Sequence, residues 1–307
     1  MIIFSKKIFI LTLVSSIFFT SIFARVTPPD ERPYLSIDEM NTYNTSLKKA
    51  DLCPKNESEN KYHHKLFLID STTPLSENQI KLIKRLLLGK DQLMRMHPYD
   101  RISIVRLREV SPQSNLPVMS MCRPRSGNSN SPYKLDKHDW LYETEKELQI
   151  QFQRLVNEID SVLANINNDI LPQNHPNRSG GSPIMEQLKE ISRLPDYKFD
   201  DFSGYQKRTL TIVSDFHQNT KRIPFYDYCK KGKNNNCPSF EKFKEQKKIK
   251  LWIKKAIPNF GDNIEVKSLY LNTLSDPNLD REVLEFWIDY FSEAGIDNFE
   301  FEIESDQ

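Results

Sequence analysis

The chain predicts an α/β domain: a doubly wound, mostly parallel sheet of about six strands with one antiparallel edge strand and helices on both faces. Three observations predict it. Short apolar runs alternate with amphipathic helical stretches from His64 onward. Two of these runs, His64–Asp70 (HKLFLID) and Thr209–Asp215 (TLTIVSD), are continuously apolar, as strands buried on both faces are, and each ends on an aspartate. Arg101–Leu107 and Pro117–Cys122 lie too close in sequence to enclose a helix, so the second of them runs antiparallel.

The elements follow in order. His64–Asp70 is the first strand. Ser76 and Gln79 form an S-x-x-Q capping box at the start of a helix. Its apolar positions, Ile80, Ile83, Leu87, Leu88 and Met94, sit near helical spacing. Arg101–Leu107 and Pro117–Cys122 are the second and third strands. A Pro/Ser/Asn-rich loop, Arg123–Pro132, leads to a long helix from about His138 to Asn167, striped by Leu141, Leu148, Phe152, Leu155, Ile159 and Leu163. After the loop LPQNHPNRSGGSP come a short helix at Ile184–Arg193 and a fourth strand at Arg208–Ser214. Lys242–Ala256 reads as one basic helix. Ile264–Leu271 is a fifth strand, and Leu279–Ala294 a helix with Gly295 as its C′ residue. Asn298–Glu304 (NFEFEIE) alternates apolar and acidic residues and suits an edge strand.

Ahead of this domain, assigned to residues 61–307, stand two other segments. Residues 1–24 carry Lys6 and Lys7 and then an apolar run from Ile8 to Ala24, the pattern of a secretory signal peptide. Ile22 stands where a small residue is preferred before cleavage, so an uncleaved N-terminal anchor is the second reading. Residues 25–60 are polar, rich in Pro, Asn and Ser, and read as a linker or arm. Export of bacterial type places the protein in the periplasm, on the periplasmic face of the inner membrane, or outside the cell.

Composition narrows the function. The 307 residues carry 43 basic and 42 acidic side chains, and losing Lys6 and Lys7 would leave about −1. That balance predicts no nucleic-acid partner. With 8 glycines and neither G-x-G-x-x-G nor G-x-x-x-x-G-K-[ST], no Gly-rich phosphate cradle is expected. The segment Lys242–Lys255 (KFKEQKKIKLWIKK) has seven lysines and one glutamate. It reads as a solvated surface helix, or as a contact for a membrane surface, a role the N-terminal anchor could share.

Four cysteines remain: Cys53, Cys122, Cys229 and Cys237. An even count in an exported chain predicts two disulfides, with free thiols as the alternative. Cys229 and Cys237 flank the polar loop KKGKNNN, which closes at little cost. That pairs Cys53 with Cys122. An antiparallel third strand supports this, because it carries Cys122 to the end of the sheet where the first strand begins.

Two aspartates at strand carboxyl ends lie where open α/β sheets bind ligands. Asp70 is followed by Ser71-Thr72-Thr73-Pro74, Ser182 stands in GGSPIMEQL, and Asp215 ends IVSD. With this strand order the chain resembles a von Willebrand factor A-type domain over residues 60 to 300. Such domains often hold a metal ion, usually magnesium, through a D-x-S-x-S run, a loop Thr and a distal Asp, and a carboxylate of the bound protein completes its shell. The resemblance implies Asp70, Thr72, Ser182 and Asp215 as ligands. Pro74 departs from it, because it occupies the second hydroxyl position; a water, Thr73 or Ser76 could take that place. A weak Mg2+ site is one reading. The other is a vestigial site whose aspartates cap loop amides or helix N-termini.

The function expected is an exported binding module that docks a protein partner at the carboxyl end of the sheet. A metal-free assembly scaffold is the alternative. A metal-assisted hydrolase with His217 as base stands third. His217 itself reads as a solvated rim residue, and no G-x-S-x-G elbow or H-E-x-x-H occurs.

Overall fold

A computed structural model describes residues 63–89, 96, 100–107, 117–124, 145–168, 181–193, 205–220, 223–225, 237–246, 249–261, 264–271, 277–297 and 299–303. The expected leader and arm lie outside them, as does most of the loop after Cys122. Among the described residues no helix is long and apolar enough to cross a membrane.

The elements are β1 (His63–Asp70), α1 (Glu77–Leu88), β2 (Arg101–Leu107), β3 (Met119–Cys122), α2 (Glu145–Ala164), α3 (Ile184–Arg193), β4 (Lys207–Ser214), α4 (Phe240–Glu245), α5 (Lys250–Ala256), β5 (Ile264–Tyr270), α6 (Pro277–Glu293) and β6 (Glu300–Ile303). One sheet orders them β3-β2-β1-β4-β5-β6. Only β3 runs antiparallel to its neighbour; β2, β1, β4, β5 and β6 are parallel. Strand order reverses between β1 and β4, so their carboxyl ends flank the crevice where such sheets bind ligands.

Alternation along the strands splits the core into two layers. Phe67, Ile69, Ile102 and Ile104 pack against Ile83 of α1 and Leu155 and Ile159 of α2. Leu66, Leu68, Leu210, Ile212 and Val266 pack against Leu188 of α3, Phe240 of α4, Ile253 of α5 and Trp287 of α6. Each fully buried Leu, Ile or Phe removes enough apolar surface to contribute about 1.5–3 kcal/mol.

Local signals account for the helix ends. Ser76 Oγ accepts the Gln79 amide at 3.2 Å while Gln79 Oε1 accepts the Ser76 amide at 2.9 Å, which closes the capping box. Gly295 adopts φ +79°; its amide reaches the Ser292 carbonyl and the Ile296 amide reaches Phe291, a Schellman ending for α6.

Two expected helices differ. The single basic helix is broken at Gln246, whose extended backbone (φ −62°, ψ 123°) ends α4. At about 100° per residue, one continuous helix would turn Phe240 about 140–180° and Phe243 about 80–140° away from Ile249, Ile253 and Ala256. All five are buried in the same core, so the chain must turn between them. Lys250, Lys254, Lys255 and Leu251 of α5 face solvent. The long helix ends at Ala164 rather than Asn167, and residues 165–168 form a turn. Asn165 draws that turn in by donating from Nδ2 to the Ser161 carbonyl at 2.8 Å. Residues 138–144, the expected start, lie outside the described residues.

Cys122 and Cys237 are both disulfide-bonded. The expected pairings Cys53–Cys122 and Cys229–Cys237 each involve one cysteine outside the described residues, Cys53 and Cys229.

Candidate functional site at the carboxyl end of the sheet

Asp70 is the last residue of β1 and is 7% exposed. Both of its carboxylate oxygens are occupied. Oδ1 accepts the Thr72 amide at 3.0 Å and the Thr72 hydroxyl at 2.7 Å. Oδ2 accepts the Ser182 hydroxyl at 2.7 Å and the Ser214 hydroxyl at 2.8 Å. Thr72, Ser182 and Asp70 are thus joined in one cluster. Asp215 is not bonded to Asp70, but both line a cleft of about 30 Å³ with Thr73, Pro74, Leu75, Gln79 and Leu271. That room is enough for a water or a small ion.

Burial pushes the Asp70 carboxyl up from its ordinary range, and the charge of Asp215 pushes it further; the bonds from Ser182 and Thr72 pull the other way. Tyr270, at the end of β5, is also held far above its ordinary value. Burial is the main cause, followed by its 2.6 Å bond to Asp280 and by the charge of Asp215.

Asp215 is half-buried. Its Oδ1 accepts the His217 amide at 3.0 Å, and its Oδ2 lies 3.5 Å from His217 Nδ1. His217 is 6% exposed, so the expected solvated rim histidine is in fact buried. The cause is the turn after β4. Phe216 takes φ +56° and buries its ring completely against Trp287, at 5.3 Å between centroids, and Phe301, at 5.5 Å. Trp287 Nε1 donates to the Phe216 carbonyl at 2.8 Å. This turn folds His217 inward and leaves Asp215 at the cleft.

Backbone and amide bonds hold the loops together. The Asn219 amide donates to the Ser182 carbonyl at 2.9 Å. Gln218, fully buried, accepts the Met185 amide at 2.9 Å and donates to Glu186 at 2.7 Å, so the start of α3 is fixed to the Asp215 loop. Ser76 does not turn into the cleft, because it is spent as the cap of α1. Thr73 is exposed beside Pro74 on the cleft wall.

Ser214, Gln218, Arg106 and Asn167 were not expected at the site. Ser214 was legible in principle. Ile69 pairs with Val213, so the next register position sets Ser214 beside Asp70 on the same face. The other three signal nothing by type or spacing.

Asp70, Thr72, Ser182, Ser214 and Asp215 all offer oxygen, the donor that hard cations take. Among the described residues, no group of three or more His, Cys, Asp or Glu side chains is placed to hold a metal ion. No protein-family model and no curated protein matches the chain.

Proposed function

We propose that this protein is a binding module, similar to von Willebrand factor A-type domains, that docks a protein partner at the carboxyl end of its sheet. A divalent cation, Mg2+ or one like it, would be held there by Asp70 and Asp215 with Thr72, Ser182 and Ser214 as neutral donors. One observation carries the reading: a buried carboxylate that accepts from three hydroxyls lines a cleft of ion size together with a second carboxylate. Two anions at close quarters cost free energy that a cation would offset. The bound cation would supply positive charge to a carboxylate of the partner.

The test is the melting temperature in Mg2+ and Mn2+ of the wild type and of the Asp70→Ala/Asp215→Ala double variant. The reading expects the cations to raise the wild-type value and leave the variant unmoved. Equal responses would remove the cation from it.

A metal-free assembly scaffold is the second reading. It is favoured by the four hydrogen bonds that already satisfy Asp70. Under it, partner capture ignores EDTA and tolerates Asp70→Ala. The hydrolase reading has less support, because His217 is buried against Asp215.

A further inference from the structure

We infer that Asn167 is the positioning residue of this site, acting with Arg106; the inference rests on the cation-site reading above. The loop from Ser71 to Leu75 carries Thr72 and the cleft-lining Thr73 and Pro74. Asn167 grips the far end of this loop by both backbone groups of one residue. Its Oδ1 accepts the Leu75 amide at 3.0 Å, and its Nδ2 donates to the Leu75 carbonyl at 2.8 Å. Two opposed bonds to one residue fix its orientation as well as its place.

Arg106 holds the near end. This arginine, 6% exposed, donates from Nε to Ser71 Oγ at 3.3 Å and from Nη2 to the carbonyl of Ile166, the residue before Asn167. Ser71 and Leu75 are therefore both tied to the turn that ends α2. Thr72 to Pro74 span the gap between the two tethers, and that span sets where Thr72 meets Asp70.

The clamp is not needed to seat α1. That helix is anchored by Ile83 and Leu87 in the core and by Lys84 to Asp160 at 2.8 Å. Losing Asn167 should then disturb the site more than the fold. Groups bonded directly to metal ligands change affinity about 10–100-fold when removed; Asn167 acts one step further back, through the loop, so the low end of that range applies.

The test compares wild type, Asn167→Ala and Lys84→Ala, the last loosening the α1–α2 contact without touching the loop. Mn2+ alone is titrated by electron paramagnetic resonance, and amide exchange is followed in EDTA. Asn167→Ala is expected to weaken Mn2+ binding by about tenfold and to speed exchange at Thr72 and Leu75 while α1 stays protected. Lys84→Ala should match the wild type in Mn2+ affinity. Unchanged Mn2+ binding and unchanged exchange in Asn167→Ala overturn the inference. Loss of loop protection in a protein whose wild type binds no Mn2+ keeps the clamp and overturns the cation reading instead. Equal weakening by Lys84→Ala reduces Asn167 to a general structural role.

Discussion

Ser214 Oγ donates to Asp70 Oδ2 at 2.8 Å and accepts the Phe216 amide at 2.9 Å, so one hydroxyl joins the ends of two parallel strands and starts the turn after the second. Ser214 is fully buried. Ser214→Ala leaves a buried amide without its acceptor and takes one donor from a buried carboxylate. Such an orphaned pair costs about 1–3 kcal/mol. The expected outcome is a drop in melting temperature of roughly 2–12 °C, given about 2–4 °C per kcal/mol in a domain of this size. An unchanged melting curve would mean that Ser214 is incidental to the site.

Asp70 makes the apo fold sensitive to pH. Burial, aided by Asp215, raises its carboxyl above the ordinary 3.8. The folded state therefore binds the proton more tightly than the unfolded chain. The stability this contributes is complete below 3.8 and is lost as pH rises through the raised folded value. In EDTA the wild type should lose stability relative to Asp70→Asn as pH climbs from about 4 toward neutrality. Urea melts across that range check it, and parallel curves for the two proteins would contradict it. Where a cation binds, it competes with this proton, so Mn2+ affinity should rise over the same interval.

The opposite sign holds at Glu265. Burial works against its charge, but the Lys207 ammonium at 2.8 Å and the Lys267 ammonium at 3.1 Å outweigh it and hold the carboxyl at about 2, below its ordinary 4.5. Its contribution is present above 4.5 and fades as pH falls toward about 2. Glu265→Gln should be modestly less stable than wild type at pH 7, by an amount that salt reduces. The gap should close as both proteins are acidified. A gap that does not shrink between pH 4.5 and about pH 2 would place the effect in packing rather than charge.

The fold was legible because each strand is a short apolar run and each helix end carries its own chemistry, as at Ser76, Gln79 and Gly295. The basic stretch looks like one helix in sequence because lysine spacing says nothing of where the chain turns. The opposed faces of Phe240 and Ile249 held that information. At the site, Asp70, Thr72 and Ser182 could be placed because strand ends and loops follow from order. Asn167 and Arg106 could not. Asn167 meets Leu75 across 92 positions, and no local pattern encodes so distant a contact. His217 carries the pattern of an exposed residue, because polar residues past a strand usually are. The left-handed turn at Phe216, which buries it, comes from a residue type that rarely takes that conformation.

That turn yields a prediction with an inverted order. Holding a residue other than glycine in the left-handed region costs about 1–2 kcal/mol. Phe216 bears this because its ring is enclosed by Trp287, Phe299, Phe301 and Tyr270, and because Trp287 Nε1 fixes its carbonyl. Phe216→Ala removes the packing, at about 3–5 kcal/mol, and keeps the strain. Phe216→Gly removes the packing and releases the strain. Glycine is ordinarily the less stable of the two by about 0.5–1 kcal/mol inside regular structure. Here it should be the more stable by about 1 kcal/mol, read from denaturant midpoints at equal slope. If alanine matches or exceeds glycine, the backbone at Phe216 is not under strain, and the aromatic enclosure alone would set the position of Asp215.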